Sequence, residues 1–120
     1  MHATIKDVPI EMQAGEIETR GVDWGDITAR VLDLPAGTDF TPLMKGLLDD
    51  RCQCAHWGYV LSGSITVRYA DGSEETTRAG ELYYWPGGHT GWTDDGVRFL
   101  EFSPTSDIAP VLTHFAAQFA

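Results

Sequence analysis

The segment Cys52-Gln53-Cys54-Ala55-His56 packs two thiols and an imidazole into a short stretch of chain. On an extended strand successive side chains alternate faces, so positions 52, 54 and 56 share one face. Neighbours on that face stand about 6.6 Å apart in Cα, at roughly 3.3 Å per residue. Side chains at such spacing converge on one ion where the strand bends. Thiolate sulfur and imidazole nitrogen suit zinc, or iron with an open coordination position. A further candidate, His89, lies in Pro86-Gly87-Gly88-His89-Thr90-Gly91-Trp92, where a Gly-rich turn lets backbone and ligand approach closely. Set across a barrel from Cys52, Cys54 and His56, it would complete a divalent-metal site. The competing reading is packing for the thiols, because free Cys is commonly a small buried hydrophobe, a core hydrogen bond for His56 and a solvated turn histidine for His89. Covalent catalysis by a thiol with His56 as base is disfavoured, since four residues of one strand separate the two Cα atoms by about 13 Å. No nucleophile elbow, phosphate loop or dinucleotide fingerprint is present.

These residues need a scaffold, and the surrounding sequence reads as short strands bounded by turns. Residues 27–34 form one apolar run, closed by Pro35-Ala36-Gly37, and residues 52–61 a second, closed by Ser62-Gly63-Ser64. Ile65-Thr66-Val67-Arg68-Tyr69 alternates apolar and polar, the period of a half-buried strand. Asp71-Gly72 follows as a hairpin turn, with 74–78 as the returning strand. Residues 81–85 and 97–102 complete the set, separated by the Pro86-Gly87-Gly88 turn. Strands at this spacing predict an all-β sandwich or small barrel. Residues 1–15 are read as an extended N-terminal arm. In the tail, Ile108, Val111, Leu112, Phe115, Ala116 and Phe119 fall on one helical face, which predicts an α-helix over 106–119 covering an end or outer face of the barrel. Trp57, opposite in parity to His56, should pack outside. Tyr83, Tyr84, Trp85, Trp92 and Phe99 are read as core or pocket aromatics. Glu101 is read as a solvated edge carboxylate, with an inward position near the site as the alternative.

The 120 residues fit one domain, and 42% hydrophobic content supports a packed core. Eight basic against eighteen acidic residues leave a net charge of −10. That balance argues against nucleic-acid and anionic-membrane partners, which need clustered cations. No apolar run reaches membrane-spanning or signal-peptide length, so a cytoplasmic protein is expected. Cys52 and Cys54 are too close in sequence for an ordinary disulfide and read as reduced thiols.

The stretches His56 to Gly63 and Gly80 to His89 resemble the two motifs of the cupin superfamily. Gly63 fits the closing Gly of the first motif; Gly80, Pro86 and Gly88 fit the spacing of the second. The resemblance covers residues 52–91 and implies a single cupin-type (jelly-roll) β-barrel over residues 1–120, with the C-terminal helix appended. His56 stands where the family usually has its metal-binding Glu. The paired histidines would fall at Asp50 and Cys52 with a three-residue spacer, or at Asp49 and Arg51 with a four-residue one, and the second motif's His at Gly91. What remains is an unusual set of Cys52, His56 and His89, with Cys54 in reserve. The resemblance implies a small-metabolite ligand and a homodimer. It leaves two functions open: a metal centre acting on or binding a small molecule, or a metal-free binding module.

Overall fold

A computed structural model of the chain describes residues 1–118. The chain enters through a 3-10 turn at Ile5–Asp7 and then forms strands β1 (Ile10–Ala14), β2 (Ile17–Trp24) and β3 (Ile27–Leu34). Two further 3-10 turns, Thr41–Met44 and Leu48–Asp50, lead to β4 (His56–Tyr69), β5 (Glu74–Arg78), β6 (Leu82–Trp85), β7 (His89–Trp92), β8 (Val97–Pro104) and helix α1 (Thr105–Gln118). Every strand pairing is antiparallel, and the order β1-β2-β3-β8-β4-β5 runs across the sheet. The expected all-β barrel with a C-terminal helix is the observed architecture. No helix among the described residues is long and apolar enough to cross a membrane.

Strand β4 joins the two walls. Its first half pairs with β6 and β8, its second with β5 and β7. The register slips between Val60 and Ser62, so the inward parity changes along the strand: His56 and Val60 point inward before the slip, Ile65 and Val67 after it. Gly63 follows the slip, paired with Val97 and with φ of 75°. A Cβ there would also collide with the carbonyl oxygen of Gly96. Sequence reading split β4 into two strands at Ser62-Gly63-Ser64. The structure carries the strand straight through, with Leu61 as the bulged residue and Gly63 paired to Val97 inside the strand.

Two further expectations change. Residues 52–55 are not strand; Cys52 is held by an isolated bridge to His89, and β4 starts at His56. Residues 10–14, expected in an arm, pair with β2 as an edge strand. Helix α1 starts at Thr105, one residue before the expected 106; the expected contribution of Phe119 lies outside the described residues.

The core has two parts. Leu32, Val60, Val67, Trp85 and Phe99 fill the barrel between its walls. Met44, Cys52, Cys54, Ile108 and Val111 form a second cluster beneath α1, with Phe40 and Phe115 packed against it. The helix therefore closes one mouth of the barrel, with Cys52 directly under it.

Candidate functional site

Cys52 hangs on backbone hydrogen bonds rather than on a strand. Its N–H donates to the carbonyl of His89 at 2.9 Å, and its own carbonyl accepts from Gly88 N–H at 2.7 Å and His89 N–H at 3.2 Å. This clamp fixes the thiol beside β7. The chain then turns at Gln53–Ala55, and His56 opens β4 with its side chain inward. The turn brings Cys52 Sγ to 3.5 Å from His56 Nε2, far closer than a continuous strand would allow. The imidazoles of His56 and His89 meet edge to face, with ring centroids 5.1 Å apart. Cys52, His56 and His89 each offer one ligand atom, all within 4.8 Å of one another, and all three are buried. Cys54 does not join them. Its Sγ turns to the carbonyl of Ala55 at 3.3 Å, and it packs in the cluster under α1. Neither does Asp50, whose carboxylate accepts from Gly46 N–H. Cys52 and Cys54 are free thiols.

The tautomers favour ligation. His89 Nδ1 lies 2.8 Å from the Pro86 carbonyl, which only accepts, so Nδ1 carries the proton and Nε2 presents a lone pair. His56 Nδ1 lies 2.7 Å from Ser103 Oγ and 3.6 Å from Glu101 Oε1, so a proton on Nδ1 is stabilised and Nε2 again faces Cys52. A metal-bound His commonly has its other nitrogen engaged in this way.

Glu101, read from the sequence as a solvated edge carboxylate with an inward position as the alternative, takes the inward position. It is 4% exposed and accepts from Arg30 Nη1 at 2.7 Å. Arg30, itself buried, also donates from Nε to Glu11 at 2.9 Å. Strand parity explains both: Thr28, Arg30, Leu32 and Leu34 form the inward row of β3, and Val97, Phe99, Glu101 and Ser103 that of β8. Arg30 and Glu101 are register partners. The alternation was visible in the sequence; the partners that permit inward charges were not.

Burial governs the ionisation of the site. It pushes the Cys52 thiol up to about 12, with the Glu101 carboxylate adding to the rise. It pulls His56 down to about 4, against the pull of Glu101, and lowers His89 as well. Burial works against the Glu101 carboxylate too, but positive charge from His56 when protonated, and from the Arg30 guanidinium, holds it below its ordinary value. At neutral pH the thiol is protonated, both imidazoles are neutral, and two carboxylates flank one guanidinium. The set carries one excess negative charge. A divalent ion exchanged for the thiol proton would cancel it, so the donors and the charge balance both fit a metal.

The ligand atoms border a cavity whose room for water centres is ≈ 60 Å³. On that measure one water needs about 10–15 Å³, so the space suits a few waters or one small molecule. Its walls include Phe40, Met44, Ile65, Val67, Trp85 and Phe115. Of the remaining aromatics, Tyr83 stacks on Trp85 within the core, whereas Trp57 stacks on Tyr84 outside the barrel, as parity predicts for Trp57. His114 hydrogen-bonds the carbonyl of Lys45, away from the site.

No protein-family model matches the sequence, and no curated protein matches it. Solved structures do match in fold. The oxalate decarboxylase of Lactobacillus farciminis, solved as a formate complex, aligns at 19% identity over 85% of this chain and 32% of its own, with a TM-score of 0.60. EutQ of Salmonella typhimurium, named for ethanolamine utilization, aligns at 17% identity over 73% of this chain and 68% of its own, with a TM-score of 0.57. Protein NMB1881 of Neisseria meningitidis aligns at 14% identity over 83% of this chain and 91% of its own, with a TM-score of 0.58. The chain spans about a third of the length of the oxalate decarboxylase. Strand order, closing helix and these neighbours agree: the chain has the cupin fold.

Proposed function

We propose that residues 1–120 form one cupin-type domain that holds a divalent metal, zinc or iron, on Cys52, His56 and His89, and binds or acts on a small organic molecule in the adjoining cavity. The observation that carries this reading is the convergence of three buried ligand atoms within 4.8 Å, with the Nδ1 of both histidines already engaged. Such an ion, when bound, would supply Lewis acidity and an open position for water or a ligand. The protein's own part is to orient the imidazoles through Ser103, Glu101 and the Pro86 carbonyl, and to keep bulk water out with α1. Cys54 has no part in this set.

The test is elemental analysis of untagged protein after anaerobic loading with zinc or ferrous iron. Close to one ion per chain is expected, falling to background in His56→Ala and in His89→Ala. Far less than one ion in the wild type overturns the reading. A metal-free binding module is the second reading. It is favoured by the mainly apolar cavity wall and by a thiol that stays protonated at neutral pH.

We also propose a homodimer and a cytoplasmic setting, the latter supported by two free thiols. The outward faces of Trp57, Leu82, Tyr84 and Phe102 are exposed, and Trp57 lies beside both Tyr84 and Phe102 in register. In a chain of net charge −10, an uncharged face is where two copies repel least. Sedimentation should show a dimer that Trp57→Glu converts to monomer; a wild-type monomer at high concentration removes the proposal.

A further inference from the structure

The Arg30–Glu11 contact at the far side of the cavity is more elaborately built than an edge ion pair requires. Strand β1 lies at the edge of the sheet, and its register slips between Ile10 and Met12, leaving Glu11 as the extra residue. A bulge of this kind re-aims a side chain, and here it turns Glu11 towards Arg30. The carboxylate then lies over Gly21, where a Cβ would stand 2.5 Å from Glu11 Oε2. The absence of a side chain at position 21 is what makes room for it. Beside this pair, Thr19 is 1% exposed, and its hydroxyl has no hydrogen-bond partner. A buried hydroxyl left alone costs about 1–3 kcal/mol, so something polar belongs next to it.

Two spaces meet at this point. The inner cavity at the histidines and an outer groove between β1 and α1 share Met12, Thr19, Arg30 and Phe115 in their walls. The groove is wide, ≈ 540 Å³, and Glu11, Gln13 and Leu112 flank it. Glu11 lines the outer groove and holds Arg30, one of the residues that wall both spaces, so it stands beside the boundary between them.

We propose that Glu11 is a displaceable latch: the carboxylate of a small organic acid replaces it on Arg30 and accepts a hydrogen bond from Thr19. This deepens the small-molecule reading of the cavity but needs no metal. Exchange of one carboxylate for another conserves the charge around Arg30, which is already paired on its other side with Glu101. A dianion such as phosphate would leave an extra negative charge beside Glu101 and is disfavoured. The inner cavity limits the acid to roughly four to six heavy atoms, at one per water-sized volume. Arg30 supplies the planar donor fork that suits a carboxylate, and Thr19 stays unpaired until the acid arrives.

The experiment titrates metal-free protein with acetate, propionate, propionamide and inorganic phosphate, followed by NMR of the amides of β1 to β3. Three variants are compared with wild type: Glu11→Gln, Gly21→Ala, which pushes the latch aside but keeps its chemistry, and Thr19→Val. Acetate and propionate should bind Glu11→Gln and Gly21→Ala about tenfold more tightly than wild type, since a charge-assisted bond no longer has to be broken. Thr19→Val should bind them about fivefold more weakly yet unfold at higher denaturant in the absence of acid. Propionamide and phosphate should show no gain in any variant. Unchanged acid affinity in both latch variants, or an equal gain for propionamide or phosphate, overturns the proposal. A metal-free protein that takes up acids in this pattern leaves the latch standing even if no ion is ever found, and the reverse result leaves the metal reading standing. If either latch variant fails to fold, hydrogen exchange of wild-type residues 10–14 decides: saturating propionate must accelerate it, and unchanged protection overturns the latch.

Discussion

The candidate site is assembled from two halves of unlike construction. Arg30, Glu101, Ser103 and His56 sit on regular strands, in register, each placed by inward parity and locked by a cross-strand partner. Cys52 and His89 meet instead at an isolated bridge, where a turn-rich segment crosses the start of a short strand. The first half is rigid because its positions are shared with the sheet. The second is set by a few backbone hydrogen bonds between a turn and the start of β7, with Cys52 packed into the cluster under α1.

The largest effect should come from breaking the strand half. Arg30→Met leaves Glu101 buried without its cation, and uncompensated buried charges of this kind cost about 3–5 kcal/mol. Urea unfolding should show that loss, and the double change Arg30→Met with Glu101→Leu should recover most of it. If the single change costs less than about 1 kcal/mol, the network is not structural and the comparison between halves collapses.

The same division decided what the sequence could reveal. Residues 27–34 were legible as a strand because their inward row is mainly apolar and their ends carry turn residues. The inward charge of Arg30 was not, and that of Glu101 only as an alternative, since neither shows its partner until β3 and β8 pair. Strand β2 escaped notice because Glu18, Arg20 and Asp23 break its apolar pattern, their charges facing partners or solvent at the sheet's margin. For Cys52 and His89 in the loop half, as for His56 at the start of β4, the residue types together with the cupin-like spacing were the signal, and the fold brings the three together. Their geometry was not legible: residues 52–55 look like strand, so Cys54 was assigned the same face as Cys52 and His56. His89 to Trp92 look like a turn, yet they pair with the second half of β4.

Acid should weaken the metal-free protein through His56. Its folded value, about 4, lies below the ordinary 6.5, so below pH 6.5 the unfolded chain takes up a proton that the folded protein refuses. Stability is therefore full above pH 6.5 and falls as pH drops towards 4, by about 3 kcal/mol over that window at 1.36 kcal/mol per unit. Denaturant midpoints between pH 7 and 4 would show it, and His56→Gln should flatten the curve. A midpoint that does not move would mean that solvent reaches the imidazole.

Metal affinity should change with pH in the opposite half. Cys52 keeps its proton up to about pH 12, so ligation by thiolate releases one proton per ion. Affinity should rise about tenfold per pH unit between pH 7 and 9, where both imidazoles are neutral and the thiol still holds its proton. Competition with a chelator of known pH dependence measures the slope. A slope near zero would show that sulfur is not a ligand.

The smallest and sharpest contrast is between the two thiols. Both are buried beneath α1, and both are pushed up by burial, Cys52 to about 12 and Cys54 to about 11. Truncation at either position removes a small apolar group and should cost about 1 kcal/mol in the metal-free protein. Only Cys52 is clamped between the histidines by the Gly88 and His89 backbone, whereas Cys54 turns to the Ala55 carbonyl. Cys54→Ala should therefore keep its full metal content, and Cys52→Ala should lose it, with the two variants equally stable when metal-free. Equal metal loss in both would mean that the segment 52–56 rearranges on loading so that both sulfurs reach the ion, and the loop half would then be looser than its backbone clamp implies.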